Sequence, residues 1–412
     1  MDGSTGHSPY KQSKMTCDDQ LFVVSMVPLR LVLKDGSAVI WANHTPSSAR
    51  FCRPISIQYI RESTSLTAET ARNMEKEIDE LLPLQSASAT VSYELYMTMV
   101  DGKVVNAVTG TPSSQTCSIC GATPRAMNNL EAVSTRPIRN LQYGISTLHC
   151  WIRAMEALLR IAYRIRLCKR TARDDQEKKL VEETKQEVQS KLRERLGLRV
   201  DEPRTGGAGN SNDGNTARRA FQSAKEFAAC TGVDERLVRR VHVILQAVSS
   251  FYTVNSAALA DYCRQTAELY VELYGWYYMP VTLHKLLMHS ATVVEWCLLP
   301  IGAMSEEAAE SGHKQLRKFR LKHTRKDSRL HAISDLYGYL LVSSDPLVSS
   351  IGASRRRRRY RDKVSQLLPE TVALLREPEL PSSNDEVYGS DSGSDTSSCS
   401  DDDSDSSCCS DV

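Results

Sequence analysis

The chain contains no apolar run near the roughly 18–20 residues that a membrane-spanning helix needs. Its opening, MDGSTGHSPYKQ, has no apolar signal region. Both absences point to an intracellular protein with no membrane partner. Internal repeats are missing too, which excludes solenoid and propeller arrays. The twelve cysteines (17, 52, 117, 120, 150, 168, 230, 263, 297, 399, 408 and 409) are scattered rather than spaced as a disulfide framework. Only Cys117 and Cys120 stand at a chemically suggestive interval. In a cytosolic or nuclear protein, metal binding or simple burial outranks disulfides. Finally, Lys and Arg are absent from residues 381–412, where nine Asp and Glu sit.

That last absence explains a deceptive net charge. The whole chain is +2, but all 52 Lys and Arg lie in residues 1–380 with only 41 of the 50 acids, a formal +11. A basic body with an acidic tail fits a polyanion-binding protein whose tail competes for the basic surface. The 412 residues, 41% hydrophobic and 25% charged, suffice for two or three domains with a sizeable core.

Along the chain, residues 21–33 are β-branched and apolar, and read as one or two strands around Pro28. Residues 37–42 return after the Asp35-Gly36 turn, and 55–60 alternate as a half-buried strand. A helix follows over 66–83. Residues 90–100 read as another strand ending at Asp101-Gly102, and 104–108 extend or pair with it. From Cys117 the pattern turns helical, over 146–170, 173–196, 216–221, 256–276 and 281–298, with a Gly/Asn-rich loop at 205–215. Residues 329–343 and 360–376 read as later helices. Residues 381–412 are too polar to order themselves. The division is therefore 1–116 (α/β), 117–290 (helical), 291–345 (a helical return), 346–380 (basic and helical) and 381–412 (acidic tail).

Met304–Arg320 is the stretch on which the rest depends. Ser305 can cap a helix there, and Glu306 and Glu307 suit its positive end. Glu310 then shares a face with Lys314 at i+4 and Arg317 at i+7. Taken alone this is equally a solvated, salt-bridged helix. Metal-assisted phosphoryl transfer needs carboxylates converging on two hard cations about 3.5–4 Å apart. Asp2, Asp101 and Glu310 lie at expected strand or helix ends, though spacing alone does not select them from 50 acids.

Cys117 and Cys120 form CxxC, and His284 and His289 form HxxxxH, both spacings used by structural zinc. Buried cysteines and core histidines are the plain alternative. GNTARR (214–219) offers Arg218 and Arg219 to phosphates, or is simply a capped helix start. Phe251 suits stacking on an unpaired base or a place in the core. Arg355–Arg359 suits nuclear import or contact with a DNA backbone.

At these residues the chain resembles the DDE recombinases, comprising Transib transposases and the vertebrate V(D)J recombinase catalytic subunit. The matching stretches are DGSTGHSPYKQ (2–12), VPLRLV (27–32), PSSARFCRPISIQYIRE (46–62), MTMVDGKVVNAVT (97–109), CSICGATPRAMNN (117–129), GNTARR (214–219), LHKLLMH (283–289) and SEEAAESGHKQLRKFR (305–320). Together they span roughly residues 1–345 in consistent order.

The resemblance implies an RNase H-like sheet with a helical, zinc-containing insertion before the helix that bears the last acid. It makes Asp2, Asp101 and Glu310 the ligands of two Mg²⁺ or Mn²⁺ ions, and Cys117, Cys120, His284 and His289 the ligands of one structural Zn²⁺. Phe251 falls near a base-stacking tryptophan of the vertebrate enzyme. Candidate DNA contacts are Arg218, Arg219, Lys314, Arg317 and Arg320. The implied reaction is a nick followed by attack of the freed 3′-hydroxyl on the opposite strand, which leaves a hairpin. Double-stranded DNA ends, a homodimer, a second recombinase subunit and the nucleus are the implied partners and location.

The chain departs from the pattern at Asp2, which follows the initiator Met. The strand expected to carry that acid is missing, as are the upstream DNA-recognition and dimerisation regions. This implies truncation or a relic. The rival reading is a domesticated, inactive DNA-binding or scaffold protein. A zinc hydrolase is third, because two Cys and two His leave no open coordination position.

Overall fold

The computed structural model describes the backbone of residues 2–4 and residues 20–43, 45–98, 100–203, 210–348 and 367–376. Arg355–Arg359, residues 205–209 of the 205–215 loop and the acidic segment 381–412 lie outside the described residues. Among the described residues the fold is mixed but mostly helical, with three small antiparallel sheets.

Strands β1 (Asp2–Ser4), β2 (Leu21–Met26) and β5 (Arg53–Gln58) form one sheet in the order β1-β2-β5. Asp2 pairs with Val23 across it. Asp2 thus opens a three-residue edge strand on β2 rather than ending one, and the strand expected to lead into it would lie before residue 2. Pro28 divides β2 from β3 (Arg30–Val32), which pairs with β4 (Val39–Ala42) as the 21–42 pattern predicts. Helix α1 (Thr64–Asp79) follows, with the Ser63 hydroxyl accepting from the Leu66 amide.

The expectation for 90–100 needs correction. Only Thr90–Val91 (β7) is extended in a ladder, with Leu84–Gln85 (β6). The alternation in TVSYELYMTMV marks a segment with two unlike faces, but a strand also needs a partner for its backbone groups, and the order β1-β2-β5 supplies none here. Residues 104–108 are not a strand either. Asp101 caps helix α2 (Gly102–Val108), its Oδ1 accepting from the amides of Lys103 and Val104, both at 2.9 Å. The Asp101-Gly102 pair, expected to end a strand, instead opens a helix, and Val104 and Val105 close a small cluster with Val100 and Tyr143.

Beyond Cys117 the helices build the main core. After α3 (Leu130–Ser134), α4 (Thr147–Ala162) buries Leu148, Trp151, Met155, Leu158 and Leu159. The charged α5 (Asp175–Leu196) buries only the stripe Thr184, Val188 and Leu192, one residue per turn. It stops at Gly197, whose φ of 61° lies in the left-handed region that a helix C-terminus needs. The helices α6 (Gly214–Gln222), α7 (Ala224–Thr231), α8 (Glu235–Ser249), α9 (Ser256–Tyr274) and α10 (Val281–Trp296) complete this core.

The chain then returns to the sheet. A single tight turn, Ile301–Met304, leads into α11 (Glu307–Lys322), and α12 (Arg329–Ser343) follows. Leu316, Leu336 and Leu340 of these helices pack against Leu21, Val23 and Ile57 of the sheet. Of the expected 360–376 helix, the described part holds the short α13 (Pro369–Val372), docked on α8 by Gln246 Oε1, which accepts from the Leu368 amide and the Thr371 hydroxyl. Among the described residues no single helix is long and apolar enough to cross a membrane. The segments 281–296 and 301–322 reach that length only together, across a 98° bend.

Candidate metal centre and the acidic face beside it

Cys117 and Cys120 project from a tight turn. The Cys117 amide donates to Ala122 O at 2.9 Å, and the Gly121 amide donates to Cys117 O at 2.8 Å. Gly121 takes a φ of +70°, which explains a glycine directly after the second cysteine. Against this turn lies α10, carrying His284 and His289. All four side chains are buried, at 1%, 5%, 0% and 3% exposure respectively.

Their ligand atoms all lie within 4.8 Å of one another, with Cys120 Sγ to His284 Nε2 at 3.3 Å. A tetrahedral zinc with ordinary Zn–S and Zn–N bonds has ligand–ligand edges of about 3.3–3.8 Å. The two imidazoles meet edge to face, ring centroids 5.1 Å apart. Both ring nitrogens of His289, and Nδ1 of His284, are buried with no hydrogen-bond partner, a costly arrangement for a bare core. The Cys117 thiol is held well below its ordinary range, first by the Cys120 thiol and then by the two imidazoles. Cys120 is pushed up by sharing that hydrogen bond and by burial. Burial also lowers the pKa of His284, favouring the neutral ring a metal ligand requires. The group could bind a metal such as zinc, in a closed and therefore structural site.

A second cluster lies where α4 meets the start of α11. Glu306 is buried and accepts from three groups: the Ser146 hydroxyl, the His149 amide at 3.3 Å and His149 Nδ1 at 3.0 Å. This contact raises the His149 pKa. Burial opposes the rise, and the charges of Glu306, Asp101 and Glu310 add to it. Asp101 and Glu310 therefore act on one imidazole although far apart in sequence. The Thr98 hydroxyl meets Met304 Sδ at 3.5 Å, bringing the segment before Asp101 against the lead-in to α11.

The other expected site residues fall in different surroundings. Asp2 lies on β1, whose neighbour β2 packs on α11; its side chain is outside the described residues. Glu310, Lys314 and Arg317 are exposed along one face of α11. Arg320, on the same helix, is only 8% exposed, with its guanidinium 5.0 Å from the Tyr59 ring centroid. Arg218 pairs with Glu307 and lies over the Trp151 ring. Arg219 donates to Leu196 O at 3.0 Å, closing the end of α5. Phe251 is exposed at the end of α8.

Sequence reasoning passed over Ser146, His149 and Glu306. The one local signal was a serine three residues before a histidine at a helix start. Glu306 read only as a dipole-matching residue. An expected result follows: Glu306→Gln lowers the His149 pKa, because the favoured imidazolium loses its buried anion. Histidine NMR titration measures this, and an unmoved midpoint sinks the assignment. With a folded pKa above the unfolded value, this contact stabilises the protein at low pH and its contribution is lost as pH rises through the folded pKa.

No family model matches the chain, and no curated protein matches it.

Proposed function

We propose that this chain is the catalytic core of a DDE-type DNA recombinase or transposase, cutting double-stranded DNA by a nick and then a hairpin-forming transesterification. The observation that carries the reading is the Thr98–Met304 contact at 3.5 Å, which sets the segment before Asp101 against the lead-in to the helix of Glu310, so that both carboxylates contribute to the raised His149 pKa. The antiparallel order β1-β2-β5 followed by α1 is what the opening half of an RNase H-like sheet would present. The resemblance of the motifs supports it as well.

Asp2, Asp101 and Glu310 would hold two Mg²⁺ or Mn²⁺ ions, since clustered carboxylates suit hard cations. Such ions, when bound, supply Lewis-acid activation of the attacking and leaving oxygens. The chain's own residues do the rest. Asp101 stays anchored through Oδ1 at the start of α2, which leaves Oδ2 for ligation. Lys314 and Arg317, one and two turns beyond Glu310, meet the phosphodiester backbone. A zinc at the Cys/His group holds the 117–122 turn to α10, which keeps the Asp101 side of the molecule in register with the return to Glu310. Paired DNA ends call for a homodimer. A second recombinase subunit and a nuclear location complete the proposal.

One observation favours a second reading, a DNA-binding protein without cleavage. Among the described residues, which do not include the Asp2 side chain, the Cys/His set is the one group of three or more potential ligands close enough to share a metal. The test is a nicking and hairpin assay in Mg²⁺ or Mn²⁺ on DNA ending in candidate terminal repeats. Metal-dependent hairpins are expected, reduced roughly a thousandfold by Asp101→Asn or Glu310→Gln, about 4 kcal/mol of transition-state stabilisation. Tight DNA binding with no cleavage would select the second reading instead.

A further inference from the structure

The first turn of α11 is fastened at three points, all of them on the helical core. Gly302 in its lead-in lies so close to the end of α8 that a Cβ there would sit 2.3 Å from Ser250 O and 2.4 Å from the Ser249 carbonyl carbon. No side chain fits, so the backbone is pressed directly onto α8. Glu306 is held by Ser146 and His149 of the α4 start. Glu307 is held by Arg218 of α6, whose guanidinium also lies 5.9 Å from the Trp151 ring centroid. Farther along, Leu316 belongs instead to the sheet cluster with Leu21, Val23 and Ile57. Glu310 lies between these two anchorages, one turn past the fastened carboxylates and on the same face as Glu307.

We infer that Glu306 and Glu307 form a two-carboxylate clasp, which sets the position of Glu310 relative to the helical core and makes Arg218 a positioning residue. A helix pinned at only one end would pivot about the sheet cluster, carrying an exposed acid with it. The two carboxylates prevent this by meeting separate helices, α4 and α6, so that both the rotation and the tilt of the first turn are fixed. The pairing is favoured by its surroundings: Arg218 and Glu307 are both partly buried, where an ion pair is less screened than at an open surface. The clasp matters to cleavage only if Glu310 is catalytic, so this role rests on the function proposed above. The fastening itself does not depend on that reading.

The clasp and a direct phosphate-contact role for Arg218 differ in sign. If Arg218 served chiefly to grip DNA, Arg218→Gln would weaken duplex binding and flatten its salt dependence, while Glu307→Gln would strengthen binding by removing a competing anion. The clasp makes both substitutions act alike. Hydrogen exchange of the full chain, with Arg218→Gln, Glu307→Gln and the swapped pair Arg218→Glu/Glu307→Arg, tests the fastening without reference to activity. Each single change is expected to speed amide exchange over residues 307–312 by about tenfold, leaving α12 unchanged, and the swap to restore slow exchange. Unchanged exchange in both singles, or no recovery in the swap and in Arg218→Lys, overturns the clasp. In the cleavage assay the singles should lower kcat with little change in KM, and opposite effects of the two singles on DNA affinity overturn the positioning role. A chain that cuts no DNA at all would refute the proposed function while the exchange measurement still decides the clasp.

Discussion

Replacing Cys117 with serine is expected to cost the protein its metal and about 3–5 kcal/mol of stability, enough to lower the melting temperature by roughly 10 °C. The argument starts from burial. Four ligand side chains with almost no exposure surround a space of zinc-ligand dimensions. Three of the four histidine ring nitrogens there have no partner. A metal ion neutralises the thiolates and takes up an imidazole lone pair from each histidine, so removing one ligand leaves the others buried without compensation. The 117–122 turn is remote in sequence from α10, so the ligand set adds to the apolar packing of Ile119 and Met127 with the α10 leucines that joins the two. Elemental analysis of the purified chain should give one zinc per molecule, falling towards zero in Cys117→Ser and His289→Ala. Cys263→Ser is the control: it alters an equally buried thiol, near Ser290, that belongs to no ligand group. A wild-type chain that carries no metal and melts as Cys117→Ser does would remove the assignment.

Acid sensitivity should be the second large effect, and it has a specific source. His242 is 4% exposed, packed against Trp151 and Phe221, and its Nε2 has no partner. Burial alone pushes its pKa down from 6.5 to about 4. As pH falls below 6.5 the unfolded chain takes up a proton that the folded chain refuses until about pH 4. Stability is therefore complete above the unfolded value and is lost through that window, by about 3 kcal/mol in all. His242→Leu keeps an apolar side chain of similar size and removes the titration. Urea unfolding at pH 7.5 and 4.5 should show wild type losing about 3 kcal/mol more than the variant. The difference between the two proteins isolates His242 from acids that titrate in the same range and from His149, which works in the opposite direction. Equal losses would show that His242 is not the source.

Helix starts have local causes: Ser63, Ser146, Asp174, Asp213, Asn255 and Ser328 each accept from an amide three residues on. Only Ser305 was read as a cap from the sequence, and its hydroxyl accepts from the Glu307 amide at 3.3 Å although α11 takes Glu306 as its N-cap. The exposed ridge Glu310, Lys314, Arg317 was legible, since helical spacing alone puts these residues on one face. Arg320 belongs to the same run of basic residues, yet it is buried against Tyr59. Nothing in α11 reveals that, because the tyrosine comes from the strand side of the molecule. Residues 90–100 misled by the same logic in reverse: the alternation was real, and the partner strand was not there.

The amino-acid order alone determined the caps, the helical stripes, the CxxC turn with its glycine and the separation of a basic body from an acidic tail. All of these arise between residues a few positions apart. Tertiary structure decided that Glu306 and Glu307 are fastened rather than solvated, and that His284 and His289 close on Cys117 and Cys120. Five residues is about 140° around a helix, so HxxxxH does not itself place two rings on one side. Only the packing of α10 against the cysteine turn brings them together, and such packing depends on the shape of the whole core rather than on any local run of sequence.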